Sequence, residues 1–364
     1  MKKYSNTKAT LAIAKASFRS IIRSPSAVVF SLAFPLIFIV VFANIGGSGV
    51  KVDVGVAKTC DTLNPVYKVL GKTGVINFIN DQSPEQMSKN LAKGSIDAII
   101  NVQKNANGQP PYTLNIQYTK ASAQKDGILR SLINNVFYQL NSRGSTIPQP
   151  VAEVKETTVQ GREYKYIDFI LPGMLGFSLL SSGVFGTAFV FISLRLTLVI
   201  KRFFATPVKR YSIVLGEALA RLVFSLLGAL FIITIGHYAF GFTLIHGIVT
   251  VLNMLVLASI GLIIFMGFGF TISGIAKNES TVPPLSNIIT MPQFLLSGTF
   301  FATTAFPSWL QSISKILPLT YLNDAMRKVA FEGAGLTEVT HQLLILGIWF
   351  IVIYAVAVKT FKWE

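Results

Sequence analysis

Six uncharged, apolar stretches divide the chain: Ser26 to Asn44, Phe169 to Leu194, Leu222 to Ile245, Gly247 to Ala276, Thr281 to Thr304 and Leu343 to Val358. Each has a length that crosses about 30 Å of hydrocarbon as helix, the last being the shortest. A chain that is 51% hydrophobic and 13% charged carries too little polar surface to meet water on all sides, so lipid must cover the excess. The first stretch exceeds a signal-peptide core and is followed by no small-x-small cleavage site, so it is expected to remain as a helix. These features predict a membrane all-α bundle of six transmembrane helices.

The formal charge of +16 suits nucleic acid in the abstract, but its placement points to orientation instead. Lys2, Lys3, Lys8, Lys15, Arg19 and Arg23 precede the first helix without an acid, and Arg195, Lys201, Arg202, Lys209 and Arg210 follow the second. The positive-inside rule puts both groups, Lys277, and Lys359 with Lys362 on the cytoplasmic side. The expected location is the cytoplasmic (inner) membrane, multi-pass, with both termini cytoplasmic and no nucleic-acid partner. The single cysteine, Cys60, excludes an intrachain disulfide. It reads as a packed or surface thiol, with an intermolecular bridge or lipid attachment as the other options.

Four parts follow. Residues 1–25 form a cytoplasmic interfacial helix, with Leu11, Ala14, Phe18, Ile21 and Ile22 on one side and Lys8, Lys15, Arg19 and Arg23 beside them; the alternative is a basic flank that only orients the chain. Residues 26–45 are the first span. Residues 46–165 change to soluble composition and are expected as an inserted, mixed α/β extracytoplasmic domain. Within it, Val50, Val52, Val54 and Val56 alternate as a half-buried strand does, and Ser83, Pro84, Gln86 and Gly94 delimit a helix by capping box and stop. Further strands are expected at 75–80, 96–102, 112–118 and 151–159, with helices at 65–72 and from Ser122 onward. Residues 166–364 hold helices two to six, a cytoplasmic loop at 195–212 and an outer interfacial segment at 305–338 that carries Pro307, Trp309, Pro318, Tyr321 and Arg327.

No catalytic motif is legible. Gly71-Lys72-Thr73 ends like a phosphate loop, but Val66 stands where that loop needs glycine. Leu296-Ser297-Gly298 lies within an apolar run. His237 and His246 lack the carboxylate or thiol that would complete a metal shell, and no G-x-S-x-G is present, so neither catalytic residues, a metal site nor a cofactor of this chain is expected. Glu217 and Arg221, four apart with Glu first, form a candidate intrahelical ion pair near the cytoplasmic interface; the alternative is that Arg221 snorkels. Asp168 reads as an interfacial cap rather than a proton carrier.

The whole chain resembles the permease subunits of ABC type-2 exporters, in the branch with a large extracytoplasmic domain between helices one and two. The likeness rests on Arg23-Ser24-Pro25, Phe34-Pro35-Leu36, Leu171-Pro172-Gly173 and Ala205-Thr206-Pro207-Val208. It is carried furthest by Pro292, Leu296-Ser297-Gly298, Phe300, Pro307-Ser308-Trp309-Leu310, Pro318-Leu319-Thr320-Tyr321 and Arg327. Relatives commonly follow the Arg of the inner loop with Glu and carry Gly shortly before Thr-Pro; here Leu196 and Leu198 stand instead.

The resemblance implies a permease subunit of an ATP-binding-cassette exporter, pairing with a second permease copy or paralogue. Separate ATPase subunits would hold ATP and magnesium. Arg195, Lys201, Arg202, Thr206, Pro207, Lys209 and Arg210 would contact the ATPase, Thr206-Pro207 fixing a bend. The alternative for this loop is an orientation signal alone. Apolar helices suit a lipid-like or amphipathic cargo. Two rivals stand beside this reading: a membrane-anchored receptor or assembly factor, which would need one or two spans, and an ion-coupled transporter, which would need carboxylates deep in the spans.

Overall fold

The computed structural model describes residues 5–25, 29–45, 52–80, 82–105, 110–119, 123–141, 152–159, 165–199, 202 and 205–361. They divide into two compact units, Gly47–Lys165 and the remainder.

The smaller unit is a mixed five-stranded sheet in the order β2-β1-β3-β4-β5. Its elements run β1 Val52–Val56, α3 Pro65–Lys72, β2 Ile76–Ile79, α4 Pro84–Lys93, β3 Ala98–Lys104, β4 Tyr112–Thr119, α5 Ala123–Asn141 and β5 Ala152–Val159, with α1 and α2 belonging to the other unit. Helical crossovers make β1 parallel to both β2 and β3, and β4 parallel to β5, while the β3–β4 hairpin is antiparallel. Strand alternation sends Val52, Val54, Val56, Ile100, Val102, Leu114 and Ile116 to one face, where Val66 and Leu70 of α3 and Leu129, Ile133 and Val136 of α5 cover them. The opposite face takes α4 through Met87 and Leu91. That helix starts on the expected capping box, Ser83 with Gln86, and stops at Gly94 in the left-handed region (φ 73°). Val50 and the expected cap Ser122 lie outside the described residues.

The Cys60 thiol is half-buried and accepts from the Val102 N–H at 3.3 Å, and burial pushes its pKa up, which keeps it protonated and unreactive.

In the larger unit, α1 spans Asn6–Ile22 and α2 spans Phe34–Ile45 after a π turn at Val29–Ala33. Four helices are long and apolar enough to cross a membrane: α6 Tyr166–Leu196, α7 Arg210–Phe240, α8 Ile248–Ile275 and α12 Thr340–Thr360. Short helices α9 Val282–Leu296, α10 Ser308–Ser314 and α11 Pro318–Arg327 complete it. Most of α6 is enclosed (61% of its apolar window buried) whereas α12 is largely uncovered (17%), so α6 is the axis of the core and α12 its rim.

The expected fifth span, Thr281 to Thr304, is shorter as helix. It stops at Leu296, and Gly298 turns the chain in the left-handed region (φ 71°). Residues 297–302 are irregular, and 297–300 of them are buried, a combination tolerated at membrane depth only if the backbone finds partners. Partners are at hand: Arg327 donates to the Gly298 carbonyl (2.5 Å), Asn323 to that of Ser297 (3.2 Å) and the Tyr166 hydroxyl to that of Phe300 (2.8 Å). The segment expected as an outer interfacial layer is thus also a packing element, with Leu319, Leu322, Met326 and Val329 of α11 and its extension inside the core.

Asp126 lies in the first turn of α5 with its charge partly enclosed. Burial raises its pKa from 3.8 to about 6, Arg130 lowering it and Asp97 and Glu156 raising it. One of its oxygens, Oδ1, is buried without a hydrogen-bond partner. The folded state therefore binds this proton more tightly than the unfolded one, so the penalty of the charge is full above about pH 6 and is relieved as pH falls toward 4. With solvent screening of a half-buried group allowed for, the effect is about 1 kcal/mol. Hydrogen exchange on the whole chain in lipid nanodiscs, corrected for intrinsic rates, should show α5 better protected at pH 5 than at pH 7.5, and Asp126→Asn should abolish the difference.

Candidate functional site

The basic surface begins with α1. Ala14 and Ile21 are buried, and Ile21 with half-buried Phe18 packs on Ala220 and Phe224 of α7. Leu11 and Ile22, expected on the same apolar side, stay exposed, as do Lys8, Lys15, Arg19 and Arg23. Close approach of the two helices depends on Gly216, where a Cβ would lie 2.8 Å from Cβ of Ile13 and 3.0 Å from the Thr10 carbonyl oxygen. A single polar bond crosses this contact among the described residues: the Ser17 hydroxyl donates to the Glu217 carboxylate.

The connection from α6 to α7 forms a turn rich in exposed groups. Arg202, Thr206, Pro207, Lys209 and Arg210 are all exposed, and Lys201 lies outside the described residues. Lys209 is the N-cap of α7 with extended backbone and no side-chain cap, its ammonium 5.8 Å from the centre of the Tyr211 ring. Lys209 and Arg210 therefore sit at the positive end of the helix dipole, where cations are disfavoured. Arg195 differs from the rest. It is half-buried, and its guanidinium donates to the carbonyl of Ala276, the residue that ends α8, so it ties the ends of two helices together.

Leu198 begins this turn with φ 58°, alone among the described non-glycine residues in having positive φ. Its N–H bonds the Arg195 carbonyl and its own carbonyl accepts from Arg202, so the turn is fixed on both sides. This is the position where the sequence comparison with ABC type-2 permeases expected glycine, and the backbone geometry is one that glycine adopts freely.

Glu217 and Arg221 lie one turn apart on α7, as their spacing requires, but their hydrogen bonds run to other helices and not to each other. Glu217 goes to α1. Arg221 is 5% exposed, which excludes snorkelling, and its guanidinium donates to the carbonyls of Ser182 (3.1 Å) and Gly186 (2.8 Å) on α6. Those two residues bound a π turn, Ser182–Gly186, inside α6. A π turn displaces carbonyls from the helical ladder, and a buried cation can take them as acceptors. Ser17, Ser182 and Gly186 were not singled out from sequence; the one available signal was Ser181-Ser182-Gly183 interrupting an apolar run.

At the opposite end of α6, Asp168 is fully buried and accepts from the Thr243 N–H (2.7 Å) and hydroxyl (3.2 Å), which caps the α7–α8 connection. Arg327 stacks on Phe169, its guanidinium carbon 3.6 Å from the ring centre, and donates to the Phe169 carbonyl at 3.0 Å. Among the described residues no group of three or more His, Cys, Asp or Glu side chains is disposed to hold a metal.

A helical bundle with four membrane-capable helices, a buried cation, a basic turn and a separately folded α/β unit is a build that suits a membrane transport protein. Residues 25–359 match the family described as ABC-2 family transporter protein, and the chain belongs to that family. It is 26% identical over 374 residues to ABC transporter G family member 20 of Dictyostelium discoideum, covering 96% of this chain and 50% of that protein. To the probable multidrug ABC transporter permease YbhR of Escherichia coli K12 it is 24% identical over 138 residues, covering 38% of this chain and 37% of that one. The chain thus spans about half the length of the Dictyostelium relative.

Leu198→Gly removes a left-handed penalty of about 1 kcal/mol, part of which returns as unfolded-chain entropy. The purified variant should melt about 1 °C above the parent in the same detergent. A lower melting temperature would show that the Leu198 side chain makes a contact worth more than the strain.

Proposed function

We propose that this chain is the transmembrane permease subunit of an ATP-binding-cassette exporter, moving a lipid-like or amphipathic substrate with ATP hydrolysed by a separate subunit. The observation that carries this reading is the pairing of α1 with the start of α7 behind an exposed basic turn. Arg202, Thr206, Pro207, Lys209 and Arg210 face solvent there, and α1 is pinned to the same helix by Ser17, Gly216 and Phe18. A cation at the N-cap of α7, Lys209, is disfavoured by the helix dipole, and an acidic partner surface relieves that cost. In this reading Lys201 joins the contact, and Arg195 supports it from behind by holding the end of α8. ATP and magnesium belong to the partner.

The proposed assembly has two permeases, identical or paralogous, and two ATPases. The proposed topology has six spans, with the π turn and α2 (Val29–Ile45) as the first and α9 as the fifth. As helix these reach about 25 Å and 22 Å, so each relies on flanking irregular chain to complete the crossing. The buried segment 297–300, with the carbonyls of Ser297, Gly298 and Phe300 already served, fills that part for α9. Both termini are cytoplasmic in this arrangement.

The tagged chain purified gently from its native membranes should bring down vanadate-sensitive ATPase activity, and the chain alone should have none. Reversal of Lys201, Arg202, Lys209 and Arg210 to Glu should remove the co-purifying activity without lowering the melting temperature of the permease, since Glu at positions 209 and 210 suits the positive end of α7. Full retention of the activity in that variant would overturn the assignment.

A further inference from the structure

Glu217, Arg221 and Ser225 follow one another at intervals of four along α7 and so share a face. Each reaches a different place: Glu217 to Ser17 of α1, Arg221 to the carbonyls of Ser182 and Gly186, and Ser225 to the Ser182 hydroxyl at 3.0 Å. The stripe joins the surface helix to the π turn in the middle of α6. The guanidinium occupies the space over Gly186, where any added Cβ would collide with it. From the other side α8 closes on the same turn, a Cβ on its Gly269 lying 2.7 Å from the carbonyl oxygens of Gly183 and Val184. The turn is therefore gripped from two sides, and on the α7 side its carbonyls are held by the one Arg221 guanidinium, with Ser225 on the Ser182 hydroxyl.

That charge has a second partner within reach of its own helix. A Glu four residues before an Arg is the favourable order for a helical ion pair, and here the Glu217 carboxylate is instead engaged by Ser17. We propose that Arg221 is a positioning residue with two alternative partners, the π-turn carbonyls while Ser17 holds Glu217, and the Glu217 carboxylate once α1 moves and Ser17 lets go. In the second state the carbonyls of Ser182 and Gly186 lose their donor, and the extra residue of the π turn is driven back into the α-helical ladder or along it. A shift of one residue turns the rest of α6 by about 100° and moves it about 1.5 Å, so displacement of α1 becomes rotation of Thr187–Leu196. The proposal rests on the reading above only in taking the ATPase as what moves α1.

The test needs no ATPase, so its failure is separable from failure of the coupling surface. With Cys60→Ser as background the chain has no native cysteine, and Phe189→Cys places a reporter on an exposed position beyond the π turn. Maleimide labelling is followed on the full chain in phosphatidylcholine/phosphatidylglycerol nanodiscs. Ser17→Ala frees Glu217 and should change the labelling rate at least about fivefold, the lower end of coupling between linked sites. Glu217→Gln removes the alternative partner, so it should label like the background and make Ser17→Ala silent. Arg221→Lys cannot serve two carbonyls from one fork and should label like Ser17→Ala, with no further change when the two are combined. A merely structural Ser17–Glu217 bond gives a different pattern, since Ser17→Ala and Glu217→Gln would then act alike. An unchanged rate in Ser17→Ala, or the same Ser17→Ala effect with and without Glu217→Gln, overturns the proposal. These mild variants decide the matter even if Arg221→Lys fails to fold.

Discussion

Inside a bilayer there is no water to satisfy a carbonyl that leaves the helical ladder, so every irregularity in the bundle needs a donor from elsewhere in the protein. The π turn before α2 gives up the Ser31 carbonyl to the Ser178 hydroxyl at 2.7 Å. The π turn within α6 is served by Arg221, and the break after α9 by Arg327, Asn323 and Tyr166. Even the open end of α8 is closed by Arg195. Because apolar burial does not drive helices together in lipid, such bonds and close contacts fix which helix faces which. The donors come almost entirely from α6, α7 and α11, and so these elements order the rest.

The same constraint explains why cations are enclosed within so apolar a bundle. A guanidinium has five donors in a rigid fork and can close two carbonyls at once, which no neutral side chain does as compactly. Arg221 and Arg327 each take two carbonyls. Their charge is balanced by backbone dipoles from segments that need donors, so the cost of burying the cation and the cost of breaking the ladder offset one another. Neither would be tolerable alone.

Legibility from sequence followed the same division. Hydropathy found the cores of α6, α7, α8 and α12 because composition over twenty residues suffices, and period-two alternation with a capping box located β1, β3, β4 and α4 to within two or three residues. Hydropathy could not see that α9 stops at Leu296, since a buried irregular turn is as apolar as a helix. The π turns left no mark, for one inserted residue changes no periodicity over so short a length. Arg195 was grouped with the basic turn because charge counting does not distinguish a cation facing solvent from one capping a neighbouring helix. At Leu198 the sequence shows only a departure from the resemblance, whereas the structure shows a positive φ of 58°, a backbone geometry that glycine adopts freely.

The turn between α6 and α7 departs from the rest of the molecule in a way that bears on its role. Elsewhere in the bundle, the carbonyls freed at the π turns before α2 and within α6 and at the break after α9 meet donors within the chain. Here a bulky residue is held left-handed at Leu198, and Lys209 and Arg210 stand at the end of a helix dipole that repels them. A surface that is costly in isolation and rigidly backed by α1 fits an acidic partner that relieves the cost on docking. In the proposed assembly that relief ties the affinity of the partner to the placement of α1 and the start of α7, so the binding energy acts on the helices that lead into the membrane.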